Sequence, residues 1–233
     1  MFYNFADIES DAPRLYIEGE IAPSEPWWDS LYDAWGANPG NFVTPPKFRD
    51  ALKQCEGKPL TVIVDSQGGD FAAGVAIYEA LRAHAGETTV QIYRAYSAAS
   101  LIALGADKRL ISAGGSIMIH SPMCGVEGNW QDLQAGRDFL LALRDSAAAI
   151  YARHLPWTAE EAAAAMDAEA FFSSQDAVAM GWATGLIGDE EARATMRGRM
   201  RATMRATETM IRSALARADE DRERAEILRQ LKN

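Results

Sequence analysis

The sequence predicts an α/β fold built on a largely parallel sheet, and three observations carry that prediction. Residues 60–64 (LTVIV) form an unbroken apolar run, as expected of a strand buried on both faces. Strand-like and helix-like stretches alternate from residue 60 to residue 119. Between the first apolar run and the first helix-like stretch lies Ser66-Gln67-Gly68-Gly69, a glycine turn suited to a strand-to-helix connection.

The elements follow in order. Arg14–Ile21 (RLYIEGEI) alternates apolar and polar residues, the pattern of a half-buried strand. Residues 27–35 and 46–55 read as helices, separated by a loop at 36–45 rich in Asn, Gly and Pro. After the strand at 60–64 and its turn, a helix spans about 71–84, with Val75, Tyr78, Leu81 and Arg82 at helical spacing. Residues 88–94 predict a strand, 98–105 a short helix of small residues, and 108–111 and 116–119 two more strands. A long helix covers about 130–152, with Leu133, Phe139, Leu140, Leu143, Ala147 and Ile150 on one face, and Pro156 ends it. Thr158 and Glu161 have the spacing of a capping box that opens an alanine-rich helix. Residues 173–181 (SSQDAVAMG) predict a last helix with a serine cap and a glycine stop.

Composition changes after Gly188, where Arg, Met, Ala, Thr and Glu dominate. The sequence therefore divides into a folded unit at 1–188 and a charged, Met/Arg-rich helical tail at 189–233. The chain carries a net charge of −10, and the tail holds 11 basic against 9 acidic residues, so −12 falls on the first 188. That balance argues against a nucleic-acid binder. The tail reads either as a solvated helical extension or as an assembly or partner-docking arm. No apolar run approaches the ~20 residues of a membrane span, and the N-terminus lacks a signal-peptide pattern. A cytoplasmic location without membrane association is expected. Cys55 and Cys124 are too few for a disulfide framework, and no Cys/His spacing suggests a metal.

The residues also suggest chemistry. The amides of the glycine turn are potential anion donors. No phosphate-loop or dinucleotide fingerprint accompanies them, so no nucleotide cofactor is expected. Ser97 follows a strand and opens a run of small residues, which suits either a helix cap or a nucleophile. Ser100, three residues on, is placed for packing. His120 ends an apolar strand and is better placed as a base than His84 or His154, which lie near helix ends. A nucleophilic serine needs a base, an oxyanion site and a group to orient the base.

The ordered set SQGG, YSAAS, MIHSP, a long helix and FFSSQDAVAMG resembles the ClpP family of serine peptidases. It is most similar to the head maturation (prohead) proteases of tailed phages and prophages. The resemblance covers residues 14–188. It implies the ClpP/crotonase-type fold of repeated β-β-α units, in which the long helix is a protruding handle. It also implies a homo-oligomeric ring, possibly stacked, acting on capsid or scaffold proteins, in the host cytoplasm if phage-encoded. By position Ser97 matches the nucleophile, His120 the general base, and the amides of Gly69 and Ala98 the oxyanion donors. The acid falls on Glu169, with Asp167 as the alternative. Two positions depart from the family pattern. Tyr93, followed by Arg94, replaces a glycine, which bears on the shape of the substrate cleft, and Gln67 replaces a proline. No metal or cofactor is implied, and any ATP use belongs to a partner. Two rival readings differ in class: a non-catalytic ring-forming assembly protein, and a crotonase-type acyl-CoA enzyme, against which the Ser97 and His120 pair argues.

Overall fold

The computed structural model describes residue 8 and residues 10–23, 42–55 and 57–188. The predicted helix at 27–35 and the tail at 189–233 lie outside the described residues.

Seven strands form one sheet. They are β1 (Arg14–Ile21), β2 (Phe42–Val43), β3 (Leu60–Gly69), β4 (Thr88–Tyr96), β5 (Lys108–Met118), β6 (Phe171–Ser173) and β7 (Gly185–Leu186). The order is β2-β1-β3-β4-β5-β6, with β7 also on β5. Every pairing is parallel except β5 with β6. The helices are α1 (Pro45–Gln54), α2 (Phe71–Arg82), α3 (Ala98–Ala103), α4 (Trp130–His154), α5 (Ala159–Asp167) and α6 (Ser174–Ala179). The α/β expectation is met.

Sequence explains the central layer directly. Val62, Val64, Val90, Ile92 and Ile117 are fully buried, as parallel strands covered on both faces require. The short α3 is buried along its whole length and packs on α2 and β3, which its small residues permit. Four rings tie the end of α4 to the segment after α6. Trp182 stands 5.3 Å from Tyr151, 5.5 Å from Phe172 and 6.0 Å from Trp157.

Helix ends follow local chemistry. Asp70 caps α2 by accepting from the Ala73 N–H at 2.7 Å. Thr158 and Glu161 form the predicted reciprocal box on α5, and Ser173 caps α6 as predicted. Asn129 and Asp132 form another box on α4, which the sequence reading did not identify.

Two readings need correction. Ser66-Gln67-Gly68-Gly69 is no tight turn: it continues β3, with Gly68 and Gly69 in register with Glu20 and Ile21 of β1. The stretches 108–111 and 116–119 are not separate strands. Residues 108–118 form the single strand β5, whose register against β4 slips between Ile92 and Arg94 and so absorbs the Ser-Ala-Gly-Gly at 112–115.

Candidate active site

Parallel strands end at the same edge of a sheet, and loops from that edge converge there. Gly68 and Gly69 end β3, Ser97 follows β4, and His120 lies two residues past β5. The Ser97 N–H donates to the Met118 carbonyl at 2.8 Å, which fixes the serine beside the strand that delivers the histidine. The Ser97 Oγ lies 2.8 Å from His120 Nε2, within hydrogen-bond reach.

Ser97 has φ 52° and ψ −125°, a conformation that L-residues rarely adopt. It precedes α3 but makes no side-chain capping bond, so the helix-cap reading does not describe it. Its hydroxyl turns to His120 instead. Ser100 is fully buried, and its Oγ bonds to the Ser97 carbonyl and the Tyr151 hydroxyl, in keeping with a packing role.

Of the predicted oxyanion donors, Ala98 follows the serine directly and Gly69 lines the same cleft, while its neighbour Gly68 makes the close approach. Ala98 holds the first helical position, where an N–H has no intrahelical acceptor. A Cβ on Gly68 would stand 2.7 Å from Ser97 Cβ and 3.0 Å from Ala98 N, so only glycine allows this approach. Gly68 and Gly69 both carry positive φ, 96° and 148°. With Ser97, Ala98 and His120 they line a cleft of about 560 Å³. Its far walls are mainly apolar, including Leu101, Met123, Phe139, Leu143 and Met166. Neither Tyr93 nor Arg94 lines it: Tyr93 is exposed at the β4 irregularity, and Arg94 pairs with Asp65 at 2.9 Å.

The two candidate acids differ in setting. Asp167 accepts from Ser121 Oγ at 2.5 Å and from Arg144 at 3.1 Å. Glu169 is exposed, with φ 50°. Its N–H donates to Met166 and the Ala170 N–H to Ala165, the paired bonds of a Schellman end to α5. Glycine normally fills that left-handed position. Among the described residues, Ser97 and Glu169 are the only non-glycine residues with positive φ. No carboxylate among the described residues hydrogen bonds to His120. Its backbone neighbours are nevertheless bound to the acidic segment, Ile119 N–H to Ala170 and Ser121 N–H to Met166. The β5–β6 register pairs Met118 with Phe171, and the Ile119–Ala170 bond carries that pairing one residue further, to the position before His120.

Sequence reasoning missed Tyr151, which lines the cleft and contacts Ser100. The only sequence signal was an aromatic residue four positions after Ala147 on the same helix face. No group of three or more His, Cys, Asp or Glu able to hold a metal occurs among the described residues. No helix among them is long and apolar enough to cross a membrane.

At the strand ends the mostly parallel sheet thus brings together a serine at positive φ, a histidine and two glycines around one cleft. Residues 51–190 match the Clp protease family. This chain belongs to that family. It is 30% identical over 125 residues to the ATP-dependent Clp protease proteolytic subunit of Deinococcus radiodurans, covering 52% of this chain and 61% of that protein. The protein of the same description from Pleurastrum terricola is 31% identical over 129 residues, covering 54% and 66%. That from Chlorella vulgaris is 29% identical over 125 residues, covering 52% and 62%. The chain thus spans less than two thirds of the length of the curated relatives it matches.

Proposed function

We propose that the chain is a serine endopeptidase in which Ser97 attacks a peptide carbonyl. His120 Nε2 takes the hydroxyl proton as the C–O bond forms. The tetrahedral oxyanion is held by the Gly69 and Ala98 N–H groups. His120 then returns the proton to the leaving amine, and water, activated by the same histidine, cleaves the acyl-enzyme. Glu169 orients the imidazole by accepting its other N–H after a side-chain rotation, and Asp167 remains the alternative acid. The observation that carries this reading is the 2.8 Å approach of His120 Nε2 to Ser97 Oγ, on a serine held at positive φ. An oxyanion donor contributes ~10²–10³-fold and a positioned base ~10²–10⁴-fold to such a reaction.

The finer reading is a homo-oligomeric, possibly stacked ring that processes capsid or scaffold proteins during phage head maturation. Support for the phage setting is the ordered motif resemblance. Support for association is an apolar patch of Met123, Val126, Trp130, Leu133 and Phe139 on the loop before α4 and its exposed first half. The tail at 189–233 is assigned to assembly or docking as a unit separate from 1–188. A non-catalytic assembly protein is the second reading, favoured by the lack of a carboxylate contact on His120 among the described residues.

Labelling with a fluorophosphonate, read by intact mass, tests the peptidase. Wild type should gain one adduct, and Ser97→Ala and His120→Ala should lose it. An oligomeric wild type that stays unlabelled would favour the assembly protein. Co-expression with phage capsid and scaffold proteins, with Ser97→Ala as control, tests the processing role.

A further inference from the structure

Buried hydroxyls that hydrogen bond one another in a core are costly unless every proton has an acceptor. Behind Ser97, two such hydroxyls form a chain that the peptidase chemistry leaves unused. Ser100 Oγ donates to the Ser97 carbonyl at 2.6 Å, and the Ser100 N–H donates to the same oxygen at 2.9 Å. The Ser100 hydroxyl has one proton, already committed, so in its 2.8 Å contact with Tyr151 the phenol is the donor. The direction is therefore fixed: Tyr151 O–H to Ser100 O–H to Ser97 C=O. Ser100 and Tyr151 are 0% and 2% exposed.

The acceptor at the end of this chain is informative. The Ser97 carbonyl and the Ala98 N–H belong to one planar trans peptide, so they point in opposite directions. Anchoring the carbonyl in the interior aims the amide outward, toward the cleft that Ala98 lines. It also holds ψ of Ser97, whose backbone sits at positive φ.

We infer that Tyr151 and Ser100 are positioning residues that aim the Ala98 oxyanion donor through the Ser97 carbonyl. The pair reaches from α4 to the nucleophile, so it ties that helix to the oxyanion site. Chains of hydrogen bonds polarise one another, and each link strengthens the next in a dry interior. Burial raises the Tyr151 phenol well above its ordinary value, with the Ser100 contact pulling the other way. The phenol thus stays protonated and remains a donor. The inference rests on the peptidase reading above.

The test is the inactivation kinetics of full-length wild type, Tyr151→Phe, Ser100→Ala and the double variant by a fluorophosphonate. Its phosphoryl oxygen stands in for the oxyanion. Tyr151→Phe should lower kinact about five-fold and Ser100→Ala about ten-fold, with KI unchanged, because the Ser100 N–H still holds the carbonyl. Tyr151 acts only through Ser100, so the double variant should match Ser100→Ala alone. Losses that multiply in the double variant, losses confined to KI, or unchanged kinact would overturn the inference. Urea midpoints separate a general loss of stability from this in-series pattern. An inert wild type defeats the peptidase reading and this inference with it, and that failure appears before any variant is compared.

Discussion

Replacing Glu169 with glycine should make the protein more stable and less active. Glu169 sits at the left-handed position that ends α5, with φ 50°. A non-glycine residue there carries ~1–2 kcal/mol of backbone strain. Glycine removes that strain but gives back ~0.5–1 kcal/mol through the greater freedom of the unfolded chain. The expected net gain is about 0.5–1 kcal/mol, or roughly 1–4 °C in Tm for a domain of this size. The carboxylate is exposed and makes no hydrogen bond or ion pair among the described residues, so little else offsets the gain. Activity should move the other way. If Glu169 orients His120, its removal should lower kcat/KM about 10²–10⁴-fold. Thermal melts and peptidase kinetics on Glu169→Gly, Glu169→Gln and Asp167→Asn decide the matter. Glu169→Gln should keep wild-type stability while losing activity. Full activity in Glu169→Gly, with the loss appearing in Asp167→Asn, would refute the assignment and move the acid to Asp167.

Gly68→Ala should cost about 2–5 kcal/mol and abolish labelling of Ser97, because its Cβ would meet Tyr96 O at 2.6 Å and Ser97 Cβ at 2.7 Å. Gly114→Ala, with nothing within 4 Å, should stay within about 0.5 kcal/mol of wild type in the same urea titrations. Arg109→Met should lower stability by about 2–4 kcal/mol, since the guanidinium donates to the carbonyls of Trp182, Gly181 and Ala106; a smaller shift in urea midpoint would show those contacts are dispensable. Asp107 accepts from the Thr88 N–H and hydroxyl, which lower its pKa against a smaller burial effect. Its folded value lies below the unfolded one, so its contribution is present above pH ~4 and is lost as pH falls through the lowered value. Asp107→Asn should flatten that acid limb by less than about 1 kcal/mol, because the group is exposed.

Much of the fold was legible because its signals are local. β1 has the bounds its alternation predicts, and the Thr158 and Ser173 caps announce α5 and α6. What sequence could not give depends on partners distant along the chain. Glycines 68 and 69 look like turn residues, yet they pair with β1, because a parallel neighbour can continue a strand through positive φ. Ser97 and His120 could be named from residue type and order, whereas their 2.8 Å contact needs the β4–β5 register. Tyr151 had no motif at all. Its role depends on a hydroxyl 51 residues earlier in the chain.

The candidate site also shows how a parallel sheet can keep two strained residues in place. Strain persists only where surrounding structure fixes the backbone from both sides. Ser97 is held through its N–H by β5 and through its carbonyl by Ser100. Glu169 is held through its own N–H and that of Ala170 by the last turn of α5. The histidine between them sits on a segment bonded at Ile119 and Ser121 to the same turn. Thus the bond of Ser97 to Met118 and those of Ile119 and Ser121 to the end of α5 link the two strained residues through one segment, and a shift of α5 against β5 would displace Glu169 and His120 together. The Arg144–Asp167 pair joins α4 to that turn, but its acceptor is exposed, and such pairs contribute little stability. Packing of Ala162, Ala165 and Met166, all fully or nearly fully buried, is the larger constraint. Met166 also lines the cleft, so the contact that seats α5 doubles as a wall of that cleft. Met166→Ala should therefore loosen both at once, whereas Arg144→Ala should leave both close to wild type.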